Sequence, residues 1–290
     1  MTRQAVHVVS LPYHQSRPLV GMGRGPAELL ERHGLRGELE RRGFAATVEE
    51  IPDSGERTEI ARTFDLDRRL AQAVRAARER GAFPLVLAGN CVSCLGTVAG
   101  LDPLDVGVMW FDAHADFDTP DDNLSGFFDV MALSLLTGTG WRALRETIPG
   151  FRAVEERNVG LAGVRDLEPY QRERLEASAV NVVGGSPRRG EIPSLVDELA
   201  QRVRDVYLHV DLDVLDPDEG RANEYAAPGG LSLETLLTTI RLVGEWLVVR
   251  AAAIAGYDPE FDPDGTAGRA AVEIAAAAAE AGDSGVRRGS

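Results

Sequence analysis

The length, composition and charge of this chain exclude several classes of protein. Its 290 residues fit one α/β domain, and a hydrophobic content of 44% provides a sizeable core, which excludes wholesale disorder. A formal net charge of −15 argues against nucleic acid and anionic membranes as partners. The same charge is compatible with a small cationic substrate.

The sequence also bears on the cellular compartment. No apolar run is long and free enough of charge to span a bilayer, and the first residues, "MTRQAVHVVSLPYHQ", lack the apolar region and cleavage site of a secretory signal. The two cysteines, Cys91 and Cys94, are three apart and could form a redox pair. Without a secretion signal, reduced thiols and a cytoplasmic location are the better expectation.

Short apolar runs alternate with amphipathic segments along the chain. The predicted strands are 5–11, 83–89, 106–112, 157–163, 179–185, 206–213 and 250–258, and the predicted helices are 26–42, 65–81, 129–146, 193–204 and 232–248. Nearly continuous apolar strands separated by helices predict a doubly wound, mostly parallel sheet with helices on both faces. We expect a single α/β domain over residues 1–290, with a terminal helix from about residue 270 and a flexible end of roughly 15 residues.

Acidic residues cluster where the third predicted strand ends. In "MWFDAHADFDTP" (109–120), Asp112, His114 and Asp116 follow the apolar run directly. Residues i, i+2 and i+4 of an extended chain face the same side, so these side chains converge if the extended geometry persists. In parallel sheets, ligands bind at the carboxyl ends of strands, where this cluster lies.

The segment "HVDLDVLDP" (209–217) repeats the pattern with Asp211 and Asp213. Four converging carboxylates repel one another and raise each other's pKa, and a divalent cation removes that repulsion. Oxygen ligands with one imidazole suit Mn²⁺ or another hard-to-borderline metal. Two such clusters could share two ions and activate a water molecule. A solvated turn is the alternative, but it is typical of a lone DxD motif.

The two acidic segments resemble the principal metal motifs of the ureohydrolase (arginase/agmatinase) superfamily. Three further segments resemble family motifs in the same order: "GMGRGPAEL" (21–29), "LAGNCVSCLGTVAG" (87–100), where the family usually has GGDHS, and "GVRDLEP" (163–169). The resemblance runs from about residue 5 to 260. It implies a three-layer α/β/α fold, a binuclear manganese centre, hydrolysis of a guanidino or related C–N bond, and assembly as a trimer or hexamer.

The resemblance also implies a role for individual residues. Asp112 and Asp211 would bridge the two ions, Cys91 and Asp116 would complete the ligands of one ion, and His114 and Asp213 would complete those of the other. Asp116 would also hydrogen-bond the attacking water, which makes it the expected catalytic residue. The residues expected to bind the substrate are Asn123, Ser125, Asp166, Glu168 and Asp258.

Cys91 is the first of three departures from the family pattern, because it replaces the histidine of GGDHS. A thiolate can bind a divalent metal and its pKa falls when it does so. Being softer than imidazole, it would favour zinc, cobalt or iron relative to manganese. Alternatively, Cys91 is only a small buried residue and its metal site is weakened.

The second departure is Ser125, which stands where the family has a histidine often assigned as a proton shuttle. His14, in a loop expected near the mouth of the site, is the best substitute, although an ordinary loop histidine is the alternative. The third is Gly256, where arginases and agmatinases place a glutamate that grips the guanidinium. Asp258 or Glu224 could substitute from nearby, and without such a partner a charge-assisted pair is lost.

These observations favour a metal-dependent amidinohydrolase that acts on a modified, arginine-like guanidino compound and releases urea or an analogue. N-hydroxyarginine illustrates the type, because a less basic guanidine depends less on the missing glutamate. The expected cofactors are two divalent ions, most suitably Mn²⁺, in a cytoplasmic homo-oligomer. The alternative is a non-catalytic or metal-weakened ureohydrolase-like binding protein. A nucleotide-binding site at "GMGRGP" is disfavoured, since the motif lacks the G-x-G-x-x-G spacing.

Overall fold

A computed structural model of the chain describes residues 3–102 and 104–289, the last five of these by their backbone alone. Both ends of the predicted 1–290 domain, Met1, Thr2 and Ser290, lie outside the described residues, as does Pro103. The strands are β1 (Val6–Leu11), β2 (Tyr13–His14), β3 (Arg17–Pro18), β4 (Ala46–Glu50), β5 (Phe83–Ala88), β6 (Val106–Phe111), β7 (Val159–Val164), β8 (Asn181–Gly184), β9 (Asp205–Asp211) and β10 (Val248–Ala255).

The α-helices lie between strands along the chain, except for the final one, which follows the last strand. They are α1 (Gly25–Glu31), α2 (Leu35–Arg41), α3 (Glu59–Glu79), α4 (Cys94–Ala99), α5 (Ala132–Leu136), α6 (Arg142–Arg145), α7 (Pro169–Ala177), α8 (Glu191–Ala200), α9 (Leu233–Trp246) and α10 (Thr266–Gly289). Among the described residues, no helix is long and apolar enough to cross a membrane.

The described strands form an eight-stranded sheet in the order β4-β1-β5-β10-β9-β6-β7-β8, with every neighbouring pair parallel. The strands β2 and β3 form a separate antiparallel pair. Because the sheet is parallel, helices return the chain across its two faces. This architecture confirms the predicted doubly wound, three-layer α/β/α fold.

Two apolar cores lie on opposite faces of the sheet. Along β5, Leu85 and Leu87 pack into one core, and Val86 and Ala88 pack into the other. Side chains alternate between the faces of a strand, so a strand buried on both faces must be apolar throughout. That requirement explains why the central strands could be predicted from continuous apolar runs.

Some elements differ from the prediction. The predicted helix 26–42 is two helices, α1 and α2, separated at Gly34, whose φ of 66° is left-handed and ends a helical run. The predicted helix 129–146 is reduced to a 3₁₀ turn, α5 and α6. The predicted terminal helix is α10, which packs against α9 and β10. The flexibility expected of its last residues stays a prediction.

The sheet order brings the acidic segments together. Within the sheet, β5, β10, β9 and β6 are consecutive neighbours. Phe111 pairs with Val210, and Ala255 pairs with Asp211. Consequently Asp112 and Asp211 leave the carboxyl edge of the sheet side by side, with Gly256 next to them.

Candidate metal centre

The turn after β6 fixes the first two candidate ligands. The backbone N–H of Asp112 still donates to Ala162 of the neighbouring strand (3.1 Å), which keeps Asp112 aligned with the sheet. Its Oδ1 then accepts from the backbone N–H of His114 (2.8 Å). The His114 ring returns over the strand end, with Nδ1 3.3 Å from Asp112 Oδ1 and 3.4 Å from Asp213 Oδ2.

Asp116 reaches the same place by a sharper turn. Its φ is 47°, so the chain does not stay extended beyond the strand, as the alternation argument assumed. A left-handed conformation is tolerated by aspartate better than by most residues, but it still needs support from the surroundings. That support comes from the Asp116 carbonyl, which accepts from Leu133 (2.9 Å) and Ser134 (3.2 Å).

Asp211 and Asp213 also converge through a turn. Asp211 ends β9, and residues Leu212–Val214 form a 3₁₀ turn. Asp211 Oδ1 caps that turn by accepting from the backbone N–H of Asp213 (2.9 Å). Asp213 Oδ1 in turn accepts from the backbone N–H of Ala113 (3.2 Å), which ties the end of β9 to the end of β6.

Cys91 joins the cluster from the end of β5. It begins a 3₁₀ turn, Cys91–Ser93, directly after Asn90. Its thiol donates to Asp211 Oδ2 (3.0 Å), and only 2% of the residue is exposed. Both cysteines are free thiols, and Cys94 donates instead to the Ala132 carbonyl (3.6 Å). Only Cys91 therefore faces the carboxylates.

The side chains form two groups with the spacing of metal ligands. In each group, one donor atom from every member lies within 4.8 Å of the others: Cys91, Asp112 and Asp116 form the first, and Asp112, His114 and Asp213 form the second. Asp112 belongs to both groups. Asp211 contacts a member of each, Cys91 through its thiol and Asp213 through its backbone N–H.

The electrostatics of the cluster favour a cation. Burial raises the pKa of Asp112, and the charge of Asp213 raises it further. Burial likewise raises the pKa of Asp211 and Asp116, with added repulsion from neighbouring carboxylates. These protein groups hold more negative charge than one imidazole can balance. The oxygen-rich donor set, with one nitrogen and one sulfur, therefore fits divalent cations.

His114 shows how strong the negative field is. Burial by itself lowers the pKa of this imidazole, but the charges of Asp213 and Asp112 and the hydrogen bonds to them outweigh burial and raise it to about 12. The pKa of Asp213 falls to about 2, because His114 and hydrogen bonds outweigh burial. A divalent cation at this place would take over the role of the proton on His114.

Two stacked rings, Trp110 and His209, support the carboxylate of Asp112. Trp110 donates from Nε1 to Asp112 Oδ2 (2.9 Å), and His209 stacks on the Trp110 ring with centroids 3.7 Å apart. His209 Nδ1 contacts the Tyr207 hydroxyl (2.7 Å), and burial lowers the His209 pKa to about 3. His209 therefore supports a candidate metal ligand through Trp110 and stays uncharged.

Comparison with known proteins gives this geometry its context. The family model described as "Arginase family" matches residues 4–280. The chain belongs to the arginase family. It is similar to the arginase of Schizosaccharomyces pombe (26% identity, 84% of this chain and 81% of that protein) and to the arginase of Bacillus subtilis (26%, 93% and 96%). The solved arginase of Bacillus caldovelox superposes with a TM-score of 0.85 at 25% identity, covering 95% of this chain and 98% of that one.

At Gly256, this arginase-family chain lacks the glutamate that the family resemblance predicts at that position. Its φ is 76°, and an ideal Cβ there would lie 2.5 Å from Asp211 Oδ2 and closer still to Oδ1. No side chain fits without displacing Asp211. Buried Asn223 closes the same space, donating from Nδ2 to the Gly256 carbonyl (2.8 Å) and to Asp213 Oδ2 (3.3 Å).

Two of the residues predicted to bind the substrate are engaged in their own loop. Asn123 donates from Nδ2 to the Phe127 carbonyl (2.7 Å), and its Oδ1 accepts from Ser125 Oγ and the Gly126 N–H, each at 2.9 Å. Ser125 is exposed and also accepts from the Phe127 N–H (3.1 Å). The structure therefore places both residues in a hydrogen-bonded turn beside the centre.

The other three predicted substrate residues lie in different surroundings. Asp166 is exposed, and its Oδ2 lies 3.8 Å from His114 Nε2, so it faces the centre. Glu168 forms a capping box with Gln171 at the start of α7, a structural role. Asp258 is buried, and its Oδ1 accepts from Arg24 (2.9 Å), so its charge is already balanced.

Arg165 joins the backbone of two loops next to Asp213. It donates to the carbonyls of Asp213 (2.6 Å), Leu215 (3.1 Å) and Ala227 (2.8 Å) through Nη2. These bonds fasten the turn that carries Asp213 to the loop before α9. Arg165 thus anchors backbone, and its guanidinium reinforces the position of a candidate ligand.

The sequence did not reveal an aromatic wall beside the centre. We give this name to four rings: His14, Phe127, Tyr225 and His114. Successive ring centroids are 5.8 Å apart from His14 to Phe127, 5.8 Å from Phe127 to Tyr225, and 6.5 Å from Tyr225 to His114. The rings come from three loops distant in sequence, so spacing along the chain gives no signal for them.

Asp129 is a further buried acid that sequence reasoning missed. Its Oδ1 accepts from the Val92 N–H (2.8 Å) and its Oδ2 from Asn90 Nδ2 (2.7 Å), so it holds the turn that carries Cys91. Burial raises its pKa to about 6 despite these bonds. An acid in the apolar segment "FFDVMAL" (127–133) was the available signal.

Proposed function

We propose that the chain is a metal-dependent hydrolase that cleaves a C–N bond of a guanidino or related amidino compound and releases urea or a urea analogue. The observation that supports this most directly is the shared carboxylate of Asp112, which belongs to both candidate ligand groups at the carboxyl edge of the sheet. Membership of the arginase family agrees with a hydrolase, since the similar proteins of Schizosaccharomyces pombe and Bacillus subtilis are named arginase.

Two divalent cations, most suitably Mn²⁺, are the proposed cofactors. Cys91 and Asp116 would hold one, His114 and Asp213 the other, and Asp112 and Asp211 would contact both. Bound there, the cations supply the Lewis acidity that activates a water molecule at neutral pH. The thiol of Cys91 makes this donor set softer than one with imidazole in its place, so zinc, cobalt or iron compete more strongly with manganese.

The protein groups direct the proposed reaction. Asp116 accepts a hydrogen bond from the attacking water and aims its lone pair at the carbon between the substrate nitrogens. Asp166, exposed beside His114, and the aromatic wall bound the space in which the substrate lies. Attack forms a C–O bond, and the C–N bond breaks once the leaving amine has gained a proton.

Gly256 and Asp258 favour a weakly basic head group. A guanidinium cation needs a carboxylate partner, but position 256 has no room for a side chain, and Asp258 is paired with Arg24. Asp166 does face the centre, but it is exposed, so water weakens its pairing with a cation. An N-hydroxyguanidine or an amidoxime, each less basic than a guanidine, depends less on that partner. A modified, arginine-like compound is therefore the proposed substrate type.

A guanidino panel tests the proposal. Manganese-loaded protein is incubated with arginine, agmatine, N-hydroxyarginine and an amidoxime, and urea, hydroxyurea and free amine are assayed. We expect turnover of the weakly basic members and little turnover of arginine. An Asp116→Asn variant serves as the matched control. If two bound metal equivalents support no turnover of any member, the proposal is wrong.

A non-catalytic binding protein is the second candidate, favoured by Gly256 and by the exposed serine at position 125. Metal content separates the two, since fewer than half an equivalent per chain after loading would favour the binding protein. A homo-oligomer, trimer or hexamer by family analogy, and a cytoplasmic location remain predictions. Light scattering of the purified chain measures the first of these.

A further inference from the structure

His14 lies at the same edge of the sheet as the candidate metal centre. It ends β2, just beyond the carboxyl end of β1, at the edge of the sheet where the ligands gather. The N–H of the next residue, Gln15, donates to Asn90 Oδ1 (2.9 Å), which fastens this loop to the residue preceding Cys91. The His14 ring also begins the aromatic wall that ends at His114.

The other four histidines of the chain already have partners. His7 contacts Thr47 and Glu49, His33 contacts the hydroxyl of Tyr257, His209 contacts the hydroxyl of Tyr207, and His114 lies between Asp112 and Asp213. His209 Nε2 is buried without a partner, but the ring is held through Nδ1; in His14, Nδ1 is enclosed without a partner and no other bond to the ring is found among the described residues. His14 is therefore the imidazole at this edge of the sheet whose protonation no structural bond fixes.

Charged groups from several elements surround the His14 ring. Burial lowers its pKa and the charge of Arg17 lowers it further, whereas Asp258 and Glu224 oppose this effect. A Cβ at Gly21 would lie 3.5 Å from the ring and 3.6 Å from Asp258 Oδ2, which puts ring and carboxylate around one turn. An imidazole that is neutral at rest and faced by carboxylates can accept a proton and release it again.

Building on the proposed function, we propose that His14 carries the proton from the attacking water to the leaving amine. The proton moves to Nε2, because Nδ1 is enclosed by protein. As the C–O bond forms, water gives this proton to Nε2; as the C–N bond breaks, Nε2 returns it to the amine nitrogen and the ring is neutral again. The second water proton moves from the attacking oxygen, through the carboxylate of Asp116, to the substrate nitrogen that carried the C=N bond, so that the carbonyl of the urea product forms. Water, substrate and the two products balance without a further reactant. Ser125 does not fill this proton-carrying role, because its side chain has only a hydroxyl, which is hydrogen-bonded to Asn123.

A distance test of this proposal needs no turnover. Histidine side-chain NMR spectra are compared for the zinc-loaded and manganese-loaded protein, because paramagnetic Mn²⁺ broadens nearby signals. We expect the His14 ring signals to be lost with manganese. Signals of His7 should persist, since it lies four residues before the end of β1, which is roughly 13 Å at about 3.3 Å per residue. Sharp His14 signals in both samples would overturn the proposal.

A kinetic test uses His14→Asn, with His7→Asn as the matched control. For a substrate with a strongly basic leaving amine, we expect kcat to fall about 10²- to 10⁴-fold, the range for loss of a general acid–base group. For a hydroxylamine-type leaving group, which needs less protonation, the loss should be much smaller. KM and metal content should not change, and added imidazole should restore part of the lost rate.

Several results would overturn the role. Equal losses for both leaving groups, a change confined to KM, or the absence of imidazole rescue would indicate that His14 only shapes the cleft. If the wild-type protein turns over no substrate, the proposed function fails and the shuttle role fails with it. The manganese broadening then still reports whether His14 lies near the centre, so the two failures are distinguishable.

Discussion

At the residue scale, the absence of a side chain at Gly256 leaves room for the carboxylate of Asp211. A Cβ at position 256 would lie 2.5 Å from Asp211 Oδ2, so even Gly256→Ala must displace a residue that is proposed to contact both cations. We expect this variant to bind manganese about 10- to 100-fold more weakly, the loss typical when groups supporting a ligand are disturbed. Isothermal titration calorimetry measures the affinity.

Gly34→Ala is the matched control for this prediction. Gly34 has a φ of 66°, close to the 76° of Gly256, but nothing lies within 4 Å of an added Cβ. The control therefore carries the backbone strain of a left-handed alanine without the collision. If Gly256→Ala bound manganese as well as Gly34→Ala, the steric argument would be wrong.

Cys91 decides the metal preference if it is a ligand. Cys91→His replaces a soft thiolate by an imidazole, so we expect the manganese-to-zinc ratio of the loaded protein to rise several-fold. Mass spectrometry after loading from an equimolar mixture measures the ratio. Cys94→Ala is the control, because that thiol points to the Ala132 carbonyl. An unchanged ratio for Cys91→His would remove Cys91 from the ligand set.

At the scale of elements, the sequence predicted the strands that are apolar on both faces. It missed β4, whose residues "ATVEE" are exposed beyond Ala46, because an edge strand of this kind has no continuous apolar run. It also joined α1 and α2, since one apolar periodicity continues past Gly34. The central strands were predictable because burial on both faces constrains every residue; edges and breaks are less constrained.

The residues of the candidate site likewise fall into a group that could be predicted from the sequence and a group that could not. Asp112, His114, Asp211 and Asp213 were predicted because each lies at or just beyond the end of a recognisable apolar strand, and the fold places those ends side by side. The partners that hold them are different. Asn223 and Arg165 act through hydrogen bonds to backbone and ligands that only the folded loops create. Short motifs record ligand chemistry but not the loop geometry around it.

Asp67 joins α3 to α4 and gives stability a pH dependence. Its Oδ1 accepts from the Gly96 N–H (3.0 Å), its Oδ2 is buried without a partner, and burial raises its pKa well above the usual value. A raised folded-state pKa means that stability is full below the unfolded-state pKa and falls as pH rises through the folded-state pKa. Asp67→Asn should therefore gain stability relative to the wild type as pH rises, by about 1.4 kcal/mol per unit of the pKa shift.

Urea denaturation between about pH 4 and 8 measures this difference. The amide of Asp67→Asn leaves a buried donor unpaired at every pH, so the slope with pH is the informative quantity rather than the absolute stability. Glu79→Gln, exposed on the same helix, is the control for the removal of a carboxylate from this element. A constant difference between Asp67→Asn and the wild type would contradict a shifted carboxyl.

Across the whole molecule, the fold gathers negative charge that the chain already has in excess. The net charge is −15, and neighbouring strands bring four aspartates together at one edge of the sheet. Cations that bind the folded state alone stabilise it by RT ln(1 + [L]/Kd), about 2.7 kcal/mol at one hundred times Kd. We expect manganese to raise Tm in a concentration-dependent manner and EDTA to reverse the rise, measured by calorimetry.

The Asp116→Asn variant tests this prediction most directly, because the substitution should change Tm in opposite directions with and without metal. The backbone carbonyl of Asp116 holds its turn against Leu133 and Ser134, so the substitution preserves the local geometry. Neutralising one of several buried, mutually repelling carboxylates should raise Tm in EDTA. The loss of a ligand should lower the Tm gained from manganese. If the variant were less stable than the wild type in EDTA, repulsion among the carboxylates would not destabilise this fold. The electrostatic argument for cation binding at this edge of the sheet would then be wrong.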